Sequence, residues 1–337
     1  MTQNRRRFQF ALLAVAVAAS LISASLLVAK PGDKAKRQKK STESAGLKIL
    51  HLTGTPKERG MTHGRRFARE IIRLIDAFIK AEKLSGGPDR YEATLGRVGR
   101  TMTIPPVYME EMEGIFEGVN SKTGGKMLIP SIKRNLKLED IVAMNAIADS
   151  VGFGCSSFGA WGPLTKNGDT IVARNLDWHY LPDMAKHQII IVQTPDEENS
   201  RAGWAGISWP GQIGCYTGMN ADGVTVCMHD VYTGPPDQQS GFTPRSLILR
   251  EAIEKAHAAT ADRDILDVLK NHTVAVGNNI PVGVPFTDSA KSPPFMVFEY
   301  DGRKSLGGGV ALRRAENMKK AGNSLVNGPG GCIFQVL

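Results

Sequence analysis

The sequence predicts an α+β protein in which helices and antiparallel strands stack as a layered sandwich. Residues 45–150 carry apolar residues at helical spacing, whereas from residue 155 the pattern breaks into short β runs separated by turn residues. The chain has 337 residues, 42% hydrophobic and 22% charged, a globular composition suited to one large domain or two small ones. No tract repeats at a fixed period, which excludes solenoids and propellers.

Within the helical half, Phe67, Ile71, Ile72, Leu74, Ile75, Phe78 and Ile79 recur every three or four residues and predict a helix over Lys57–Leu84. Val107–Val119 and Leu138–Ser150 predict two more amphipathic helices, punctuated by Pro105-Pro106 and Ser131-x-x-Arg134-Asn135. Strands are expected at Ser156–Trp161, Thr170–Arg174, Gln188–Gln193, Gly203–Ser208, Gly214–Met219 and Gly223–Met228. Turns such as Lys166-Asn167-Gly168-Asp169 and Ala221-Asp222-Gly223 separate them. A helix over Pro244–Ala258, another at Ile265–Lys270 and a late hairpin from Met296–Tyr300 to Lys304–Leu306 complete the pattern.

The net charge of +9 sits largely at the start of the chain. Residues 1–44 hold nine Lys/Arg and two acids, and the remainder is close to neutral at +2, so no nucleic-acid-binding face is indicated. Arg5-Arg6-Arg7 followed by an uncharged run from Phe8 to Ala29 reads as a signal peptide, with a retained membrane anchor through residues 8–29 as the alternative. Either makes the body an exported one, periplasmic, extracellular or membrane-anchored. Residues 30–44 read as a basic linker. The four cysteines (155, 215, 227, 332) make no disulfide framework and contain no CxxC zinc motif. Cys215 and Cys227 are either a pair on neighbouring strands or buried thiols.

The chemistry is concentrated in one stretch. Gly154-Cys155 opens a strand, Asn167-Gly168 turns it, and Arg174-Asn175-x-Asp177 closes the next. A thiolate beside a cation has a depressed pKa and is the better nucleophile. The bland alternatives are a cysteine serving as a small core hydrophobe and an Arg–Asp pair forming a solvated ion pair.

This hairpin resembles the nucleophile hairpin of cysteine-type N-terminal nucleophile (Ntn) hydrolases. The similarity is to the acyl-coenzyme A:6-aminopenicillanic acid acyltransferase-like family, relatives of choloylglycine hydrolases and acid-ceramidase-type amidases. Three further segments resemble that family: Gly54-Thr-Pro-x-Glu-x-Gly60-x-x-His63-Gly64, Asp140-Ile-Val-x-x-Asn145 and Gly218-Met219-Asn220-x-x-Gly223. The resemblance implies a four-layer αββα sandwich, with 45–154 as a helical pro-segment and 155–337 as the β-rich catalytic segment of one domain. It also implies cleavage between Gly154 and Cys155, which leaves the Cys155 thiol as nucleophile and its α-amine, of ordinary pKa about 7.7–8, as general base. Asp177 would tune that amine, Arg174 would balance charge and contact substrate, and Asn327 would stabilise the oxyanion. The implied partner is a small-molecule N-acyl amide, hydrolysed or used for acyl transfer through a thioester. No metal or organic cofactor is implied, coenzyme A entering only if acyl transfer is the reaction.

Other positions have two readings. Asp230 stands where the family often has Asn; it offers a backbone N–H donor or recognises a cationic substrate group. Asn220 reads first as a turn residue, His63 as a packing or capping residue, and His179 as a pocket or surface residue. Trp161, Trp178, Trp204 and Trp209 read as core or as an acyl pocket. Relatives continue beyond the point where this chain stops, ten residues after Asn327, so the sandwich is expected without its C-terminal part. The rival functions are a non-catalytic remnant or membrane-tethered binding protein of the same fold, and a secreted cysteine peptidase with His229 or His63 as base.

Overall fold

A strand, not a helix, opens the body of the chain. The computed structural model describes residues 47–149, 154–177, 182–194, 201–231, 235–286, 293–303 and 309–314. Residues 1–46, where the signal and linker expectations fall, lie outside them, as do Trp178, His179, Asn327 and Cys332. Strand β1 (Lys48–Leu52) turns Leu50 and Leu52 inward and Ile49 outward, the alternation of a half-buried strand.

Helix α1 (Pro56–Arg66) starts at a capping box. Thr55 Oγ1 accepts from the Glu58 N–H at 3.3 Å, and the Glu58 carboxylate accepts from the Thr55 N–H at 2.9 Å. The predicted Lys57–Leu84 helix is in fact three pieces: α1, α2 (Ala68–Lys80) and α3 (Glu82–Ser85). The first break is at Phe67, which leaves helical geometry (φ −123°, ψ 26°) while burying its ring. Different buried faces explain the break, because α1 buries Gly60, His63 and Gly64 whereas α2 buries Ile71, Leu74, Ile75, Phe78 and Ile79. Helices α4 (Tyr91–Thr101), α5 (Pro106–Thr123) and α6 (Leu138–Asn145) follow, and α4 was not anticipated from the sequence.

Helices α1 and α5 touch backbone to backbone. Cβ atoms added at Gly60 and Gly64 would lie 2.0 and 2.2 Å from the carbonyl oxygens of Glu111 and Ile115. From the other side, Gly114 and Gly118 meet the Lys57 and Met61 carbonyls at 2.3 and 2.5 Å. Contacts advance in the same direction along both helices, so the two run parallel and end side by side. Only glycine permits this approach.

The strands are β2 (Leu128–Ile129), β3 (Arg134–Asn135), β4 (Gly154–Gly162), β5 (Gly168–Asp177), β6 (Ile189–Gln193), β7 (Trp204–Ser208), β8 (Thr217–Asn220), β9 (Thr225–Cys227), β10 (His229–Val231), β11 (Gly277–Gly283), β12 (Phe295–Asp301) and β13 (Gly309–Arg314). Helix α7 (Pro182–Lys186) precedes β6, and α8 (Arg245–Lys255) and α9 (Ala261–Lys270) lie between β10 and β11. The main sheet runs β1-β6-β7-β8-β9-β11-β12-β13, with β10 also on β11. Among the described strands of this sheet, only the β1–β6 pairing is parallel. Its partner for β12 is β13, not the expected Lys304–Leu306, which falls among residues outside the description.

One face of this sheet, with Leu50, Ile191, Trp204, Val226 and Val282, belongs to the helix-covered core. The β4–β5 hairpin lies over part of the other face, where Trp161 stacks on Phe295 with centroids 6.5 Å apart. The fold is therefore mixed α+β, with helices on a large sheet and a two-stranded second layer. Ile49, Ile207 and Met219 on the sheet and Phe158 and Ile171 on the hairpin are exposed.

A buried guanidinium ties sheet and helices together. Arg250 of α8 is 1% exposed and uses all five N–H donors. It meets the Glu111 carboxylate of α5 at 3.1 and 2.8 Å, Glu254 at 2.8 Å, Gln193 Oε1 of β6 at 2.7 Å and the Ile213 carbonyl at 3.0 Å. Glu254 also accepts from Tyr108, Gln193, Arg201 and Trp204. Burial alone would push the Glu254 carboxyl up, but Arg250 and Arg201 hold it below its ordinary value.

The glycine contact is testable. Gly64→Ala is expected to lower stability by about 1–3 kcal/mol, the range for overpacking, read from the urea midpoint of circular dichroism. An unchanged midpoint would mean that the helices separate without cost.

Candidate active site

The hairpin register decides which side chains meet. β4 and β5 pair Gly154 with Asp177, Cys155 with Leu176, Ser156 with Asn175 and Ser157 with Arg174. Directly opposed residues share a face and alternate along the strand. Cys155, Ser157, Arg174 and Leu176 therefore share one face, with Arg174 diagonal to Cys155. The register shifts between Ala160 and Gly162, which accommodates the unequal arms on either side of Asn167-Gly168. Gly168 takes φ +80°, as this turn requires.

Arg174 reaches the thiol. Its Nη2 donates to Cys155 Sγ at 3.3 Å and to the Met228 carbonyl at 2.8 Å, while Nη1 donates to Thr217 Oγ1 at 2.9 Å. The guanidinium thus bridges the hairpin to β8 and to the residue before β10. Cys155 is half-buried. Contrary to the sequence expectation of a depressed value, its pKa is raised. Burial is the largest cause, and the charge and hydrogen bond of Arg174 only partly offset it. The Asp230 carboxylate charge adds to the rise, and the hydrogen bond of the Asp230 backbone N–H to the sulfur works against it.

Asp177 lies on the other face from the sulfur, exposed, accepting from Asn175 Nδ2 at 2.7 Å. Its strand position faces Gly154, the residue before Cys155. The structure therefore unites Cys155 with Arg174, sets Asp177 beside the Gly154-Cys155 junction, and leaves Asn327 outside the described residues.

The Asp230 side chain is not presented to a cationic substrate. Its carboxylate pairs with buried Arg245, which also bonds Asp149 and the carbonyls of Ala148 and Gly277. His229 is buried, and its pKa falls to about 4 because burial, then Arg174, disfavours the cation. Neither ring nitrogen has a hydrogen-bond partner among the described residues, so His229 is not linked to Cys155 as a peptidase base would be. Ser157 Oγ, Arg174 Nε and Asn278 Nδ2 also lack partners among those residues. Asn278 Oδ1 accepts from the His229 N–H at 3.2 Å. Ser157 and Asn278 escaped the sequence reading as site neighbours; only the strand pairings bring them near Arg174.

The other motif residues are structural. His63 Nε2 accepts from the Gly211 N–H at 3.0 Å, and Asn145 Nδ2 donates to the Gly211 carbonyl at 2.9 Å. Two separate motifs thus clamp one residue from the two peptide units that flank it, and Asn145 Oδ1 adds the Ile213 N–H at 2.8 Å. Asp140 receives a bidentate Arg134 at 2.7 and 2.8 Å. Asn220 Oδ1 closes its turn through the Asp222 and Val224 N–H groups, and its Nδ2 caps the end of α8 at the Ile253 and Ala256 carbonyls. Trp161, Trp204 and Trp209 are core residues. Cys215 and Cys227 are buried free thiols, Cys227 pushed up to about 11 by burial. Among the described residues there is no cluster able to hold a metal, and no helix long and apolar enough to cross a membrane.

A hairpin with a cysteine at its first strand's start, reached by an arginine of its second, on a layered α+β fold is similar to the arrangement of Ntn hydrolases, and the family comparison supports that assignment. More narrowly, residues 164–290 match the model of the acyl-coenzyme A:6-aminopenicillanic acid acyl-transferase family. Among curated proteins, protein dcd1B of Dictyostelium discoideum is 24% identical over 55% of this chain and 38% of its own length. Protein dcd1A of the same organism is 23% identical over 62% of this chain and 50% of its own. An uncharacterized protein of Archaeoglobus fulgidus is 22% identical over 54% and 32%. The chain therefore spans between about a third and a half of these relatives. The solved Caenorhabditis elegans N-acylethanolamine-hydrolyzing acid amidase ortholog aligns over 50% of this chain and 74% of its own, at 17% identity and TM-score 0.32. That likeness is too loose to bear on the fold.

Two titrations check the site. Alkylation of Cys155 followed by mass spectrometry is expected to show a midpoint above about 8.5, the free-thiol value, and Arg174→Gln should move it higher; a midpoint below 8.5 would contradict the burial argument. His63 is the second probe. Burial, aided by the charge of Arg250, lowers its pKa from 6.5 to about 3. Between these values the unfolded chain binds a proton that the folded chain refuses, so this contribution is full above pH 6.5 and is lost as the pH falls. His63→Gln keeps an acceptor for Gly211 and removes the titration. Its stability deficit at pH 7 should shrink toward pH 4, by at most about 1.4 kcal/mol per unit, in urea melts at each pH.

Proposed function

We propose that this chain is an exported, self-processing amidase or acyltransferase that works through a thioester on Cys155. The family match over residues 164–290 supports amide hydrolysis or acyl transfer. The observation that carries the finer reading is the Arg174 Nη2 to Cys155 Sγ contact at 3.3 Å, at the mouth of a hairpin whose other corner is Asp177 opposite Gly154. In the uncut chain burial favours the protonated thiol. Arg174 and the Asp230 N–H supply the charge and the donor that stabilise sulfur as it loses its proton.

In the proposed sequence, the Cys155 sulfur attacks the Gly154 carbonyl and the acyl group moves from nitrogen to sulfur. That shift breaks the Gly154–Cys155 C–N bond and frees the Cys155 α-amine; water then hydrolyses the thioester, releasing the Gly154 carboxylate and regenerating the thiol. That amine becomes the general base, with Asp177 close to hold and orient it. Attack on a substrate amide expels an amine, protonated by the same group, and leaves an acyl-thioester. Water or an acceptor amine then takes the acyl group. The unpartnered polar atoms of Ser157, Arg174 and Asn278 are suited to the hydrogen bonds of a linear N-acyl amide. The proposed substrates are N-acyl amino acids, acylated amines, or β-lactam-like or bile-salt-like amides. Export follows from the residues 1–29 reading, cleaved or retained as an anchor.

Intact mass and N-terminal sequencing test it. Two fragments, one beginning Cys155-Ser156-Ser157, are expected, and Cys155→Ala should stay whole and inactive. Asp177→Asn should lower turnover on an N-acyl amide at least about tenfold while leaving the fold intact. One uncut parent chain, or full amidase activity in Cys155→Ala, would sink the assignment.

A further inference from the structure

We infer that the cleft where α1 and α5 end and α2 begins binds a multiply charged phosphate group. The cleft encloses about 570 Å³, within the range of small-ligand sites. Arg65, Arg66, Arg69, Lys122 and Lys126 line it. The body outside residues 1–44 carries a net charge of only +2, so five cations around one cavity are a concentration rather than a background. None of them is ion-paired to a described carboxylate, although Arg66 lies over the Phe67 ring at 5.9 Å. The one acid in the lining, Glu70, is engaged by Lys48 at 3.2 Å.

Their placement is imposed by the glycine contact. Because α1 and α5 run parallel at backbone distance, Arg65 and Arg66 end beside Lys122. Part of the charge answers the two helix C-termini, each equivalent to about half a negative charge. About one unit is thereby offset, and the start of α2 contributes positive potential of its own, so a surplus near four remains. Apolar lining is limited to Ala68 and Ile72, which excludes an acyl chain or aromatic ring as the main occupant. Three guanidinium forks and two ammonium groups suit phosphate oxygens, which arginine engages in pairs and lysine as a point charge. The inference is independent of the Cys155 reading.

The phosphate can come from a soluble ester or a phospholipid headgroup. Calorimetry with tripolyphosphate on the full-length protein is expected to show saturable binding that weakens with salt. Combined Arg66→Glu, Arg69→Glu and Lys122→Glu should lower affinity about tenfold or more with an unchanged melting temperature. Should the triple variant not fold, Arg69→Gln with Lys122→Gln serves in its place. Flotation with phosphatidic acid–phosphatidylcholine vesicles separates the sources, since the basic 30–44 segment is common to parent and variant. Weaker flotation of the variant assigns the headgroup; equal flotation with lost tripolyphosphate binding assigns a soluble ester. No tripolyphosphate binding by the parent at about millimolar concentration, or equal binding by the variant, overturns the proposal.

Discussion

The surroundings of Cys155 are referred, through a short chain of contacts, to the buried guanidinium of Arg250. With its five donors met, this charge costs little inside the core; with any partner removed it would leave a carboxylate or a guanidinium stranded, a loss of about 3–5 kcal/mol. Its bonds to Glu111, Gln193 and the Ile213 carbonyl fix α5, β6 and the loop before β8 against α8. That loop is gripped again at Gly211 by His63 and Asn145. β8 leaves it and presents Thr217 to Arg174, and Arg174 reaches Cys155. The position of the Cys155 sulfur is thus set by a polar core as well as by apolar packing.

The cysteine illustrates competing electrostatic effects. A cation at hydrogen-bond distance favours thiolate, yet half-burial disfavours any charge, and burial wins in the intact chain. Arg174 therefore offsets part of the burial cost of a charged sulfur without reversing it.

Motif residues around the β4–β5 hairpin need not touch Cys155. His63, Asn145 and Asn220 stand in segments that resemble the family, and each spends its polar atoms on backbone groups of loops and helix ends. Buried backbone groups must be paired, and these side chains do that where the ladders cannot. Gly60, Gly64, Gly114 and Gly118 act by what they lack, allowing two parallel helices to meet and concentrating the cations at their ends.

Much was legible in the residues alone. Helical spacing marked α2, α5 and α6, turn chemistry marked most of the strands, and the Gly154-Cys155 and Arg174-Asn175-x-Asp177 pattern marked the hairpin and its reactive end. These features are local, and local propensity and spacing report them. β1, β10, β11 and α4 were not legible, since each is stabilised by partners distant in sequence: β1 by β6, and β11 by β9, β10 and β12. Tertiary structure alone decided that Arg174 sits diagonal to Cys155, that Arg245 occupies the Asp230 carboxylate, and that the thiol pKa rises. Register and burial decide which charges share a face and how much water surrounds them, and neither is written in the spacing of residues along the chain.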